Sequence, residues 1–405
     1  MIIFQENERP SIALMLGSGA CTLLTYLVGV IMPDNTEFFI EQSEQSAVKA
    51  HIVSSYFAAW SRVMKHNWKD KLCYIDLFCG PGKYNNGALS APLLVIESTL
   101  SDPDLSKRML FAFNDEDSNN ISSLMAEVAE LDTDDKLKGH IEYHAYTVGS
   151  GFEDSLKIPS NYPVLSFVDP FGYKGLTINL IDKLISNNGS DCIFFFNYNR
   201  INMALSSNPK FDEHLNGIFG VEGTAKLKSD LKYLSPAKRE PLVLKRLTEA
   251  LTQNKANYVL QFKFYGVQQK RTSHFIVFVT KHPTACKIMK QIMYSNSAKD
   301  SDGIASFSFE DSNNFNHDLE QMRLFNPRME ELKSKLLCEY FGDTANVKSI
   351  CDKYEWDFSN YYVGKNIKDA LLKLEAEGRI QVLLNRKRVV RKGLLTMPDD
   401  AIIKF

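Results

Sequence analysis

One short segment of the chain combines a glycine turn with carboxylates at a spacing that could bind a ligand. Residues 74–82 read YIDLFCGPG, in which an apolar run ends in two glycines that flank a proline. A buried strand followed by such a turn lets the backbone approach a ligand closely. Asp115 lies about one strand–helix–strand unit later, where a carboxylate can accept hydrogen bonds from both hydroxyls of a ribose. The predicted cofactor-binding residues are therefore Asp76, Phe78, Gly80, Pro81, Gly82 and Asp115.

The glycine turn also has a second interpretation, in which it serves only the packing of helix on sheet. The glycine spacing differs from the G-x-G-x-x-G pattern of dinucleotide-binding proteins, which disfavours NAD without excluding it. No G-x-x-x-x-G-K-[ST] pattern occurs, so a P-loop is excluded. The position of Asp115 favours ligand binding over packing alone.

A second candidate site is the tetrapeptide Asp169-Pro170-Phe171-Gly172, which follows an apolar run at residues 164–168. The tetrapeptide resembles the D-P-P-[FY] loop of methyltransferases that act on exocyclic amines of bases. In that loop a carboxylate and a backbone carbonyl accept hydrogen bonds from the amino group, and an aromatic ring stacks on the base. An ordinary strand-ending turn is the alternative, because Asp-Pro commonly begins turns. The spacing from Asp76 favours the chemical interpretation. The predicted catalytic residues are Asp169, Pro170, Phe171 and Gly172.

The elements that must position these residues are predicted from apolar runs. Strands are expected at residues 72–78, 109–114, 141–148, 164–168 and 192–196, and helices at 46–65, 121–131 and 176–185. A hairpin at 257–265 and 274–280 is expected to close the sheet edge. Short apolar strands that alternate with helices predict an α/β fold, with a parallel sheet covered on both faces. Ligands of such sheets bind beyond the carboxyl ends of the strands, where both candidate sites and residues 197–200 fall.

After Pro327 the pattern changes to three predicted helices, at residues 329–340, 347–354 and 364–377, and a hairpin of strands 380–384 and 388–391. This order predicts a winged helix. Residues 379–392 hold six basic and no acidic side chains, and such charge can neutralise nucleic-acid phosphates. The alternative is a solvated edge that charge protects from strand pairing. The predicted nucleic-acid-binding residues are Arg386, Lys387, Arg388 and Arg391.

Composition limits the class of protein. The 405 residues carry 47 Lys and Arg against 49 Asp and Glu, a net charge of −2, which excludes coating of nucleic acid by bulk charge. Apolar residues make up 44%, which is typical of a folded globular chain. Seven cysteines without a C-x-x-C pair disfavour a disulfide framework and favour a cytoplasmic location. No metal site is predicted, since His274 and His282 lack partners at metal spacing and are interpreted as structural.

Residues 11–32 form a stretch of 22 residues without a charge, long enough to span a bilayer. Three glycines weaken this stretch and no Lys/Arg cluster flanks it, so a membrane partner is disfavoured. The favoured interpretation is an extension outside the fold, ahead of a membrane anchor and a buried helix. The predicted division of the chain is an extension at 1–36, an α/β domain at 37–326 and a C-terminal domain at 327–405.

Both motifs resemble those of methyltransferases. The D-x-F-x-G-x-G pattern of residues 76–82 is similar to the first motif of S-adenosylmethionine-dependent methyltransferases, and D-P-F-G resembles a loop of tRNA guanine-N2 dimethyltransferases. Longer blocks, among them YIDLFCGPGKYNNG, FVDPFGYKG, FFFNYNRIN and MPDDAIIKF, resemble the three-Cys-motif partner (TcmP) family over residues 37–405. The resemblance implies a Rossmann-like S-adenosylmethionine-dependent methyltransferase fold with a C-terminal winged helix-turn-helix domain. It also implies a three-Cys-motif partner protein, similar to radical S-adenosylmethionine enzymes, in a bacterial or phage-linked setting.

These expectations lead to two hypotheses. In the first, the protein is an enzyme that binds S-adenosylmethionine at the glycine turn and Asp115 and methylates an amino nitrogen of a nucleic-acid base at Asp169. In the second, it is a catalytically silent scaffold that binds nucleic acid and the three-Cys-motif protein. Lys49, on the leading helix, either reaches the cofactor carboxylate or is a solvated flank. Ligand binding requires that Asp115 face the turn after Phe78 and that the space between them be open.

Overall fold

The computed structural model describes residues 43–149, 161–170, 172, 175–206, 211–253, 257–265, 272–297, 306–309, 328–384, 386–391 and 394–405. Phe171 and the uncharged stretch at 11–32 therefore lie outside the described residues. Within the described ranges, no helix is both long enough and apolar enough to cross a bilayer.

The apolar runs of the sequence form one eight-stranded sheet. Its strands are β1 (Leu72–Asp76), β2 (Met109–Asn114), β3 (Ile141–His144), β4 (Val164–Val168), β5 (Asp191–Phe196), β6 (Tyr258–Tyr265), β7 (Thr272–Thr280) and β8 (Ser308–Phe309). The strand order is β3-β2-β1-β4-β5-β7-β6-β8. Strands β1 to β5 pair in parallel, whereas β7 is antiparallel to both β5 and β6. Every residue of β1 and β4 is buried, which explains their unbroken apolar runs.

Ten helices of the described chain accompany this sheet. They are α1 (Glu44–Asn67), α2 (Ala91–Leu100), α3 (Pro103–Arg108), α4 (Ser118–Leu131), α5 (Ile178–Leu184), α6 (Tyr198–Ser206), α7 (Asp212–Phe219), α8 (Val221–Leu231), α9 (Pro236–Thr252) and α10 (Pro283–Ser295). Side chains of β1 alternate between two apolar cores: Leu72 and Tyr74 join α1, and Cys73 and Ile75 join α5. The sheet is therefore covered on both faces.

The predicted α/β class and the largely parallel sheet are confirmed, as is the hairpin of β6 and β7. The chain runs outward from β1 to β2 and β3 and then returns to β4 on the other side of β1. This reversal creates a crevice beyond the carboxyl ends of β1 and β4, the usual place for a ligand in such sheets.

The C-terminal part has its own apolar core. It consists of α11 (Arg328–Glu339), β9 (Thr344–Asn346), α12 (Val347–Glu355), α13 (Gly364–Ala376), β10 (Gln381–Leu383), β11 (Val390–Arg391), β12 (Leu394–Leu395) and β13 (Ile402–Lys404). The three predicted helices are present. Strands β10, β13 and β9 form an antiparallel sheet in that order.

The predicted hairpin between residues 380–384 and 388–391 is wrong. Strand β10 pairs with the last strand, β13, and β11 pairs with β12 instead. The last strand places Ile403 in the apolar core, so pairing there buries side chains that a local hairpin would leave exposed. Apolar runs that are adjacent in sequence were therefore a poor guide to pairing in this part.

A buried cation joins the C-terminal part to α10. Lys290 is 1% exposed, and its ammonium donates to the backbone carbonyls of Tyr354 and Asp357 at 3.0 and 2.9 Å. It also donates to Asn360 Oδ1 at 3.1 Å. Burial lowers the pKa of Lys290 to about 8. Polar acceptors without a full charge thus hold this ammonium. Its removal would leave the Asp357 carbonyl without this donor, whereas Tyr354 O and Asn360 Oδ1 would keep one other donor each.

Candidate active site

The glycine turn after β1 uses its two glycines differently. Gly80 and Gly82 have φ angles of 65° and 93°, a region that favours glycine. A Cβ on Gly82 would lie 2.9 Å from Leu124 Cδ1 and 3.2 Å from Leu93 Cδ1, so this glycine is needed for helix packing. The backbone N–H of Gly80 instead donates to Asp115 Oδ2 at 3.0 Å. Gly80 therefore contacts Asp115, and Gly82 packs closely on α2 and α4; both glycines also line the open space beside the turn.

Asp115 lies at the end of β2 and faces the turn, as the ligand hypothesis requires. Its Oδ1 accepts hydrogen bonds from the backbone N–H of Asp117 at 2.9 Å and from Asn120 Nδ2 at 3.0 Å. With the bond from Gly80, three of about four lone-pair positions on the carboxylate are in use. Asn120, which sequence reasoning missed, orients this carboxylate by a contact five residues away along the chain.

Asp76 lies at the end of β1 and is completely buried. Its Oδ1 accepts the backbone N–H of Phe78 at 3.1 Å, and the Tyr74 hydroxyl donates to Oδ2 at 3.4 Å. Burial raises the pKa of Asp76 to about 8, and the nearby carboxylates of Asp169 and Asp115 add to this effect. Asp76 is therefore mainly protonated at neutral pH, and a cation beside it would favour its ionisation.

Lys49 on α1 forms an ion pair with Asp169, which follows β4. Both side chains are largely buried, 13% and 21% exposed, so Lys49 is not a solvated flank. Its ammonium also lies 4.7 Å from the centre of the Phe195 ring. Burial opposes the charge, but the carboxylate of Asp169 raises the pKa of Lys49, which therefore stays protonated. The pair joins residues 120 positions apart and had no signal in the sequence.

Two neighbouring cavities meet at this ion pair. The first has a volume of about 140 Å³ and is lined by the glycine turn, Asp76 and Asp115. The second has a volume of about 300 Å³ and lies at the ends of β4, β5 and β7. Ser46, Lys49 and Asp169 line both cavities. We call them the turn cavity and the β7 cavity. The space beside the glycine turn is thus open, as ligand binding requires.

The turn cavity carries an excess of negative charge. Even with Asp76 protonated, the carboxylates of Asp115, Glu116 and Asp169 outnumber the cations of Lys49 and Lys83 in its lining. Lys49 pairs with Asp169, and Lys83 pairs with Glu127. Such a cavity suits a ligand with a sulfonium or an ammonium group and opposes the pyrophosphate of NAD. The described residues contain no His, Cys, Asp and Glu cluster that could hold a metal ion.

The β7 cavity is where the second predicted motif lies. Pro170 and Gly172 line it with Asp169. Gly172 has a φ angle of 106°, and a Cβ on it would lie 3.4 Å from Arg200 Cδ. Asn197 Oδ1 accepts the backbone N–H of Arg200 at 3.1 Å, so this asparagine caps α6. His274, interpreted from sequence as structural, also lines the β7 cavity.

The predicted nucleic-acid-binding residues differ in their partners. Arg386 bonds both carboxylate oxygens of Asp400 at 2.8 and 3.0 Å, and Arg388 forms a two-pronged pair with Glu375 at 2.6 and 2.7 Å. Lys387 is exposed, and only the backbone of Arg391 is described. These side chains share a groove with α13, whose Lys365 and Lys368 also line it. Sequence reasoning missed this lysine pair because helical spacing alone does not show which face is exposed.

No family model and no curated protein matches the chain. Among solved structures, the chain is similar to a Legionella pneumophila protein of family DUF519, with 10% identity over 63% of this chain and 93% of that one, and a TM-score of 0.38. It is also similar to the Streptomyces achromogenes O-methyltransferase TomG in complex with S-adenosylmethionine, with 11% identity, coverage of 61% and 94%, and a TM-score of 0.33. The plantazolicin methyltransferase BamL matches with 11% identity, coverage of 61% and 90%, and a TM-score of 0.31.

Proposed function

We propose that the protein is a cytoplasmic S-adenosylmethionine-dependent methyltransferase that acts on an amino group of a nucleic-acid base. The observation that carries the proposal is the position of Asp169, whose carboxylate lines both the acidic turn cavity and the β7 cavity. A methyl donor in one cavity and an amino group in the other would meet at this carboxylate. Holding two reactants side by side in this way accounts for a large part of enzymatic rate enhancement.

The residues of the turn cavity fit the proposed cofactor. When bound, S-adenosylmethionine supplies an electrophilic methyl group on a sulfonium. Asp115 has one free lone-pair position for a ribose hydroxyl, and a turn of Asn120 would free a second. The negative charge of the cavity favours the sulfonium and the ammonium of such a ligand. Asp76 would lose its proton beside them, because a neighbouring cation stabilises its ionised form.

Asp169 has the geometry to hold an amino group while it stays paired with Lys49. The ammonium contacts Oδ2, and Oδ1 has no hydrogen-bond partner among the described residues. We assign Oδ1 as the acceptor of a hydrogen bond from the amino group that is methylated. Such a bond orients the nitrogen lone pair towards the methyl donor. Lys49 fixes the direction in which Oδ1 points, so it is a positioning residue in this proposal.

The proposal assigns nucleic-acid binding to the C-terminal part, as a winged helix-turn-helix domain. Its three helices and the sheet of β10, β13 and β9 support this assignment. Lys365 and Lys387 bring positive charge to the groove beside α13, whereas Lys368 there pairs with Asp399. Membership of the three-Cys-motif partner family, and the three-Cys-motif protein as a partner, are proposed on the resemblance of the sequence blocks.

A catalytically silent scaffold is the second candidate function. It is favoured by one observation, the ion pair that already neutralises Asp169. In this case the α/β part would hold the C-terminal part and the three-Cys-motif protein together, and it would transfer no methyl group. The two candidates differ in what the turn cavity binds, because a scaffold has no need for a donor there.

Calorimetry with S-adenosylmethionine and S-adenosylhomocysteine tests the proposed cofactor. Binding of both ligands is expected, and Asp115→Ala should weaken it by at least tenfold, since one or two hydrogen bonds to a charged group are lost. Asp134→Asn, a change at an exposed carboxylate, is the matched control and should bind as the unaltered protein does. No binding by the folded protein would refute the enzyme.

Methyl transfer is tested with a radiolabelled donor and total cellular nucleic acid, with and without the three-Cys-motif protein. Label in nucleic acid, lost in Asp169→Ala, is the expected result. If the protein binds the cofactor but transfers no methyl group to nucleic acid, with or without the three-Cys-motif protein, the proposed substrate is refuted. Nucleic-acid binding that persists in Asp169→Ala without any transfer by the unaltered protein would favour the scaffold.

A further inference from the structure

His274 is a buried histidine with one nitrogen left open. It lies on β7 and is 9% exposed. Its Nδ1 lies 2.8 Å from the Ser273 hydroxyl, and its ring stacks on Phe264 with centroids 4.7 Å apart. Nε2 has no hydrogen-bond partner among the described residues. Because His274 also lines the β7 cavity, this nitrogen is available to a ligand bound there.

The open nitrogen borders the β7 cavity rather than the turn cavity. His274 shares the β7 cavity with Asp169, and it does not line the turn cavity. The ring of Phe195 lies 4.1 Å from the imidazole, centre to centre, and also carries the Lys49 ammonium above its face. Stacking on Phe264 and the tilted contact with Phe195 together restrict the plane of the imidazole. A ligand in the β7 cavity would therefore meet its edge, and not its face.

The imidazole is neutral at physiological pH. Burial lowers the pKa of His274 well below its usual value, and the positive charge of Lys49 acts in the same direction. A neutral imidazole has one donor nitrogen and one acceptor nitrogen. The Ser273 hydroxyl can either donate to Nδ1 or accept from it, so Nε2 can take the role that a ligand requires.

We propose that the β7 cavity is the binding site of the methyl acceptor and that His274 Nε2 makes a hydrogen bond to the acceptor ring, next to the amino group held by Asp169. The proposal rests on the proposed function. It restricts the acceptor to a planar heterocycle that carries an amino group beside a ring nitrogen or carbonyl, as adenine, cytosine and guanine do. Thymine and uracil, which lack the amino group, are excluded. His274 is thus an acceptor-binding residue that helps to choose the base.

The test uses the full chain, saturated with S-adenosylhomocysteine, and labelled single-stranded oligonucleotides measured by fluorescence anisotropy. Each oligonucleotide consists of thymine with one adenine, cytosine or guanine, and all-thymine DNA is the control; a uracil series covers RNA. The unaltered protein is expected to prefer one amino-bearing base. His274→Met, similar in size but without hydrogen bonding, should lower this preference about tenfold, the loss expected for one hydrogen bond. His274→Gln, which keeps a polar group near the position of Nε2, should restore much of it.

Two measurements separate this inference from a general structural effect. Calorimetry should show the same affinity for S-adenosylhomocysteine in all variants, because His274 does not line the turn cavity. His66→Met, at an exposed position at the end of α1, should behave as the unaltered protein does. An equal loss of cofactor and acceptor binding in His274→Met would overturn the assignment.

Failure of the inference is also distinct from failure of the proposed function. If His274→Met transfers methyl groups with the base preference of the unaltered protein, His274 has no role in acceptor binding, although the methyltransferase stands. If the unaltered protein binds the cofactor but neither prefers an amino-bearing base nor methylates one, both the acceptor class and the proposed reaction are refuted.

Discussion

Replacing Asp76 with asparagine should change how the stability of the protein depends on pH. In the folded protein the pKa of Asp76 is raised from 3.8 to about 8 by burial. Between these two values the folded state holds a proton that the unfolded state has released. Stability therefore falls as pH rises from about 4 to about 8, and it is constant above the folded-state pKa. The difference of about 4 pH units, at about 1.36 kcal/mol per unit, corresponds to about 5 kcal/mol.

Asp76→Asn removes this titration and keeps an oxygen that can accept the backbone N–H of Phe78. The free energy of unfolding of the variant, minus that of the unaltered protein, should therefore rise by several kcal/mol between about pH 4 and about pH 8. Urea unfolding of both proteins across this range measures the difference, in which the titration of all other groups largely cancels. Asp134→Asn, at an exposed position, should show a flat difference. A flat difference for Asp76→Asn as well would refute the assignment of a protonated, buried carboxyl group.

Three further predictions concern packing, the buried cation and the basic groove. Gly82→Ala should destabilise the protein by about 2–4 kcal/mol, because it adds a steric overlap to an unfavourable φ angle. Gly87→Ala has a similar φ angle but open space around the new Cβ, so it should cost about 1 kcal/mol. Thermal unfolding of the two variants measures the difference. Lys290→Met should release the C-terminal part for limited proteolysis, since the Asp357 carbonyl loses its donor and the Tyr354 carbonyl loses one of two. An unchanged cleavage rate would contradict the role of the cation. Lys387→Ala should reduce the slope of log affinity for DNA against log salt concentration by about one, the effect of one lost phosphate contact. Arg386→Ala should reduce this slope by less, because Arg386 already pairs with the carboxylate of Asp400. Equal reductions in the two variants would contradict this difference.

The order of elements in the α/β part could be predicted because burial on both faces leaves a strong pattern. Strands β1 and β4 are short, wholly apolar and end at polar residues. Parallel strands bring their carboxyl ends to one edge, so Asp76, Asp115 and Asp169 were expected near one another. The two cavities show that they are. The chemical roles of these residues stay predictions.

Contacts between distant segments could not be predicted in the same way. Lys49 looked like one polar position on an amphipathic helix, and nothing near it in sequence indicated Asp169 as its partner. The pairing of β10 with β13 depends on which apolar side chains the C-terminal core buries, a property of the assembled part. His274 was interpreted as structural, and its burial beside the β7 cavity depends on the assembled fold. In each case the missing information is three-dimensional.

The ion pair of Lys49 and Asp169 is compatible with catalysis because of how many hydrogen bonds each group can make. An ammonium has three donors, of which the contact to Asp169 Oδ2 uses one. Lys49 also lines the turn cavity. The carboxylate of the proposed cofactor's methionine tail would need a cation there, because the other charged groups of the cavity are mostly carboxylates.

Lys83, the other cation there, is 35% exposed, whereas Lys49 is 13% exposed. The less hydrated ammonium of Lys49 is therefore the better partner for that carboxylate. Lys49 can bind that carboxylate while it stays paired with Asp169. In the proposed reaction the ion pair would therefore hold Asp169 in place where the two cavities meet, without removing Lys49 or Asp169 from either cavity.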